Sequence, residues 1–106
     1  MNKPRIIKDY DKLDLTVQEK IKLQYPRGFE RHLIRFKNRD GKYVSALPFE
    51  ADDYYYLVRM TNAEAKEIIE EDSDFDEDGH LKDNIQEEYA DKYEDPDEDR
   101  NNEDDN

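Results

Sequence analysis

Apolar and polar positions along this chain change period three times, and each change predicts an element. Leu13, Val17, Ile21 and Tyr25 recur every fourth residue, which predicts a helix over about Leu15 to Tyr25. Either Asp14 or the pair Thr16 and Glu19 suits its start, and Pro26-Arg27-Gly28 ends it as a turn. Lys20, Lys22 and Gln24 are expected on its wet side. From His32 the period falls to two. Ile34 and Phe36 share one face, and Arg35 and Lys37 share the other.

Asn38-Arg39-Asp40-Gly41 is a turn. A three-residue loop closed by Gly41 pairs Asn38 with Lys42 and sets Val44 and Ala46 beside Phe36 and Ile34. The rival two-residue turn at Asp40-Gly41 pairs Arg39 with Lys42 and swaps every side chain to the other face. The first register is preferred, because only it explains an asparagine at the first turn position. It assigns Ile34, Phe36, Val44 and Ala46 to the core. Pro48, which has no N–H to give a ladder, is expected to end this second strand.

Tyr54 to Met60 has bulky groups on both faces and reads as the centre of the sheet. Thr61 and Glu64 have capping-box spacing and open a helix to about Glu71, with Ala65, Ile68 and Ile69 inward. Asp72 to Lys82 reads as an acidic loop. Helical period then returns at Ile85, Tyr89 and Tyr93, predicting a helix over 83–93. At the other end, Arg5 to Lys8 has the look of a short edge strand, with Tyr10 and Leu13 folding back onto the core.

The expected class is therefore α+β, a three-stranded antiparallel sheet with helices packed on one face in the order α-β-β-β-α. An acidic C-terminal extension with a third helix follows. Residues 1–71 form the expected domain, 72–93 an acidic loop and amphipathic helix, and 94–106 a disordered acidic tail with no apolar side chain to offset its ordering entropy. A domain of this size has a small core. The last helix thus has a motive to dock on the second face of the sheet, beside Tyr55 and Leu57. There Glu87, Glu88 and Asp91 would lie near Arg35, Lys37 or Arg59.

Charge sharpens the division. Residues 1–69 carry 14 Lys/Arg against 11 Asp/Glu, whereas residues 70–106 carry 3 against 19. A mildly basic domain is followed by a strongly acidic segment, within a chain of net charge −13. There is no cysteine, which excludes disulfides and thiol chemistry. The N-terminal residues lack the apolar run of a secretory signal, and no stretch has the length of a membrane span, so a cytoplasmic protein with no membrane association is expected.

Three chemistries follow from the residue types. Asp74-x-Asp76-x-Asp78-Gly79-His80 matches the first seven positions of a calcium loop, so Asp74, Asp76, Asp78 and His80 are candidate metal ligands. The twelfth position, where a bidentate Glu belongs, is Ile85. Arg35, Lys37, Tyr43, Tyr55 and Arg59 are candidate partner-binding residues, a basic and aromatic surface suited to acidic groups or to single-stranded nucleic acid. The acidic tail suits a basic protein partner, or the chain's own basic face. Catalysis finds no support: His32 and His80 are the two histidines, and there is no glycine-rich phosphate loop or nucleophile motif. No cofactor other than Ca²⁺ is suggested, and a monomer is expected.

The stretch IKLQYPRGFERHLIRFKNRDGKYVSALPFEADDYYYLVRMT resembles a family of short, uncharacterised bacterial proteins. They combine a helix ending in Tyr-Pro, a hairpin beginning Gly-Phe, an SALPFE turn and a YYLVRMT strand before an acidic tail. The likeness spans roughly residues 4–70. It implies a bacterial cytosolic origin and no activity, substrate or cofactor. The sequence thus points to a small non-enzymatic interaction or regulatory module, with a divalent-cation module and a tail-gated nucleic-acid binder as alternatives.

Overall fold

The structure, a computed structural model, describes residues 3–93. Its sheet has four strands: β1 (Arg5–Asp9), β2 (Ile34–Lys37), β3 (Tyr43–Glu50) and β4 (Tyr55–Arg59), in the order β1-β4-β3-β2. The two hairpin pairings are antiparallel, and β1 runs parallel to β4. The α+β class holds, but the sheet is mixed and four-stranded rather than three-stranded and antiparallel. Five residues reading RIIKD have too little period to declare their partner. The link is made by backbone, where Tyr55 N–H donates to the Pro4 carbonyl at 2.9 Å and the parallel ladder begins.

The β2–β3 hairpin has the preferred register, with Ile34 opposite Ala46 and Phe36 opposite Val44. Asn38 N–H donates to the Lys42 carbonyl at 2.8 Å, and Gly41 closes the loop with φ of 81°. Pro48 does not end the strand, which continues to Glu50. Met60 N–H bonds the Ser45 carbonyl and Ala51 N–H bonds the Tyr54 carbonyl, so the odd-numbered residues of β3 make the ladder to β4. The ring nitrogen of Pro48 therefore points to the side where β2 has already ended, and no hydrogen bond is lost. Its carbonyl, on that same side, accepts from Tyr25 Oη.

Three helices complete the fold: α1 (Leu15–Gln24), α2 (Asn62–Glu71) and α3 (Asp83–Tyr93), with one-turn 3-10 helices at Tyr10–Lys12 and Glu30–His32. The core joins Ile21 of α1, Tyr25 just after it, Phe29, and Ala65 and Ile69 of α2 to Leu47, Phe49 and Val58 of the sheet. This reverses the expected faces. Leu47, Val58, Phe49 and Tyr56 share the helix-covered face, so Ile34, Phe36, Val44 and Ala46 lie on the other. Alternation shows which residues share a face, not which face the helices take. The wide pairing of β3 with β4 decides that, because its apolar residues lie under α1 and α2.

Residues 72–82 are not a spacer. Phe75 and Leu81 are buried in the same core and bridge each other as a short antiparallel pair. The Phe75 ring meets Phe29 edge-on at 6.1 Å, and Leu81 N–H donates to the Pro26 carbonyl at 2.7 Å. The core therefore continues across the boundary expected at residue 71. The tail expected over 94–106 lies outside the described residues. Among the described residues no helix is long and apolar enough to cross a membrane.

Candidate functional site

Helix α3 lies on α1, not on the far face of the sheet, and the seam between them is built from ionisable groups. Glu19 and Lys22 of α1 are both buried. Lys22 Nζ holds Asp72 at 2.6 Å and Asp74 at 2.9 Å. Tyr89 of α3 donates its hydroxyl to the same Asp74 carboxylate at 2.6 Å. One turn further on, Lys92 Nζ reaches Glu19 at 3.1 Å and Tyr93 donates its hydroxyl to the same oxygen. The buried Glu19 and the half-buried Asp74 thus each receive one ammonium and one phenol. The same ammonium groups also lie near the α3 rings, Lys22 at 6.0 Å from Tyr89 and Lys92 at 5.1 Å from Tyr93.

The electrostatics of the seam are self-consistent. Burial alone pushes the Asp74 carboxyl up, but the bonds from Tyr89 and Lys22 more than offset it and hold the group below the usual carboxylate range. Glu19 is likewise raised by burial and brought below its ordinary value by Tyr93 and Lys92. For Lys22, burial lowers the ammonium, and the two aspartates more than reverse that. Burial and the nearby Asp74 push the Tyr89 phenol well up, so it remains a donor. The Tyr10 phenol is raised first by burial and then by Asp72, Asp74 and Glu19. It stays protonated beside the seam.

A pH dependence follows. Carboxylates with depressed native values bind fewer protons folded than unfolded, so their contribution is complete above the unfolded range, near pH 4. It is lost as pH falls through the native values of Glu19 and Asp74. The expected outcome is that α3 separates from α1 in acid, which is checked by following Tyr89 and Tyr93 ring resonances from pH 7 downward. Rings that keep their neutral-pH shifts until the sheet itself unfolds would refute this.

The candidate metal ligands have separate roles in this geometry. Asp74 faces inward to Lys22 and Tyr89. Asp76 turns its Oδ1 onto its own loop, accepting from Asp78 N–H at 2.9 Å and His80 N–H at 3.0 Å. Asp78 and His80 are exposed. Among the described residues no group of three or more His, Asp or Glu side chains is placed to hold a metal ion. The loop Asp76-Glu77-Asp78-Gly79 instead repeats the hairpin loop Asn38-Arg39-Asp40-Gly41. In the latter, Asn38 Oδ1 accepts from Asp40 and Lys42 N–H, both at 3.0 Å. The closing backbone bond is 2.8 Å in both loops, and both glycines have φ of 81°. Asp76→Asn is accordingly expected to leave the urea-unfolding midpoint nearly unchanged, since asparagine makes the same turn. A clear drop in the midpoint would show that the carboxylate does more than close the loop.

The five candidate partner-binding residues fall into two groups. Arg35 and Lys37 each approach the exposed Tyr43 ring at 5.4 Å, on the helix-bearing side of the sheet but beyond the helices. Tyr55 lies on the opposite face, with Arg5 at 6.0 Å from its ring. Arg59 shares that face and pairs with Asp9 at 3.0 Å. The acidic residues of α3 are brought to none of them, because that helix is occupied by α1.

No family model, curated protein or solved structure matches this chain. The seam is therefore read from its own chemistry. Sequence reasoning placed Lys22 on the wet side of α1 and missed it. A signal was present in α3. Tyr89 and Tyr93 occupy the apolar stripe of an otherwise polar helix, where Leu or Ile would serve a dry core. Buried tyrosines need partners for their hydroxyls, which calls for polar groups on the surface they meet.

Proposed function

We propose that this is a non-enzymatic interaction module that recognises a basic protein partner through its acidic helical layer. The observation that supports the reading is the seam itself. Buried ion pairs are an expensive way to attach a helix, and well-packed apolar residues would serve stability as well or better. What the seam does achieve is a fixed orientation for α3, with Asp83, Glu87, Glu88 and Asp91 exposed on its outer side. Residues 70–93 carry 11 Asp/Glu against 2 Lys. The acidic sequence of 94–106 continues from the same helix. Such a surface would attract a basic partner over a range set by salt screening.

The test is binding of the full chain to a lysine-rich peptide at low and physiological salt. Glu87→Lys, Glu88→Lys and Asp91→Lys together should weaken binding far more than Asp11→Lys, Asp14→Lys and Glu30→Lys, which are exposed and change net charge equally. Equal weakening would mean that only total charge matters, and the reading would fail.

A second reading, single-stranded nucleic acid, is favoured by Tyr43. Its ring is 63% exposed and flanked by Arg35 and Lys37, an arrangement on which a base can stack. Fluorescence anisotropy with a single-stranded oligonucleotide tests it. Binding that Tyr43→Ala leaves unchanged would count against this use of the ring.

A further inference from the structure

The helix-free face of the sheet carries an apolar band in a chain that is 44% charged. Ile7, Leu57 and Pro48 form one row across it, and Ala46 with Ile34, then Val44 with Phe36, continue it toward the hairpin. Ile7 is 45% exposed and Ile34 40%, and between them Leu57 and Ala46 are already covered by their neighbours, so the accessible apolar surface is concentrated at the two isoleucines. The core of Ile21, Leu47, Phe49 and Val58, with the three helices above it, lies entirely on the opposite side.

Two further features identify what fits this face. First, charge is segregated between the two sides of the sheet. The acidic residues of α2, the 72–82 loop and α3 belong to the helical layer, whereas the open face pairs Asp9 with Arg59 at 3.0 Å and Glu50 with Lys3 at 2.8 Å and carries Arg5 beside the Tyr55 ring. Two copies meeting on this face keep their acidic layers as far apart as the molecule allows. Second, the two ends of β3 carry opposite charge. Before it lies the hairpin loop with Arg39 and Lys42, offset by Asp40. At its other end Glu50, held by Lys3 at 2.8 Å, is followed by the turn with Asp52 and Asp53. A two-fold axis midway between the two sheets, parallel to them and perpendicular to β3, lays one β3 antiparallel over the other. It puts each basic hairpin over the acidic turn of the other copy, twice.

We propose that the occupant of this face is a second copy of the chain, forming a symmetric sheet-on-sheet dimer. Such an interface is isologous, as closed two-fold dimers require. Two twisted sheets stack about 10 Å apart with strands within about 30° of alignment. From strand spacing and rise, the band and its charged ends bury about 1,000 Å² in total, at the lower bound for a specific interface. The dimer is therefore concentration-dependent rather than obligate. Pairing through the exposed edge of β2 is disfavoured, because it would bring Arg35 and Lys37 of two copies together.

Sedimentation equilibrium of the full chain over a wide concentration range tests this. The expected result is a shift from 12.8 kDa toward twice that mass as concentration rises. Ile7→Glu and Ile34→Glu, both at exposed positions, should each return the monomer with an unchanged far-UV spectrum. Reversing the turn (Glu50→Lys, Asp52→Lys, Asp53→Lys) should weaken the dimer at least tenfold. Adding Arg39→Glu and Lys42→Glu should restore it. A monomer at every concentration overturns the proposal. So does a dimer that survives both isoleucine substitutions, or one that the compensating reversal fails to restore. None of these outcomes bears on the peptide binding assigned to α3.

Discussion

Replacing Lys22 with Met is expected to destabilise the fold by about 3 kcal/mol. Methionine fills much the same volume, so little packing is lost. What remains is a pair of carboxylates, Asp72 and Asp74, facing a buried space without their cation. Breaking a buried pair from one side typically costs about 3–5 kcal/mol. The lower end applies here, because both aspartates keep 19% of their side-chain surface in water. Urea unfolding of the two proteins measures the difference. Adding Asp74→Asn to Lys22→Met should recover part of it, since one stranded charge is removed. A loss below about 1 kcal/mol, or a double variant less stable than Lys22→Met alone, would mean that the seam is not held as described.

Phe29→Ala is expected to cost about 3–5 kcal/mol, the usual range for truncating a fully buried phenylalanine. Phe29 is 1% exposed, and its ring meets Tyr10 at 5.7 Å, Tyr25 at 6.4 Å and Phe75 at 6.1 Å. It stands between α1, the 3-10 turn after β1 and the 72–82 loop. For a small domain this loss is a large share of total stability. Unfolding curves give the magnitude, and amide exchange gives its reach. Exchange at Phe75 and Leu81 should accelerate together with exchange in the sheet. Phe75 and Leu81 amides that behave independently of the sheet would show that the 72–82 loop is not part of the core.

These two residues mark where the sequence was legible and where it was not. Local chemistry was readable. Asn38 and Gly41 specified the hairpin register, and Thr61 with Glu64 specified the reciprocal cap at the start of α2. Period located all three helices to within a residue or two. Non-local choices were not readable. Nothing in Ile34, Phe36, Val44 or Ala46 shows that the helices would take the other face, because that depends on where α1 and α2 can reach. Pro48 misled, since its missing N–H matters only if a neighbouring strand faces it. At Asp74, Asp76 and Asp78 an acidic composition concealed two separate roles, a partner for Lys22 and a turn. The repetition of Asn/Asp-x-Asp-Gly at 38–41 and 76–79 was the clue to the second. Lys22 was hidden because a lysine inside an amphipathic stripe normally extends its ammonium to water. Here two aspartates, fifty residues and more along the chain, meet it first.

Helix α3 is a fixed part of the fold, fastened to α1 by Glu19, Lys22 and Asp74. Native-state hydrogen exchange at neutral pH tests this most directly. The α3 amides from Glu87 to Tyr93, which lie past the first turn and so have partners within the helix, should be protected to within about tenfold of those in β4. In Lys22→Met they should be the first to lose protection. Amides in α3 that exchange at the rate of an unstructured chain, while β4 remains protected, would contradict it.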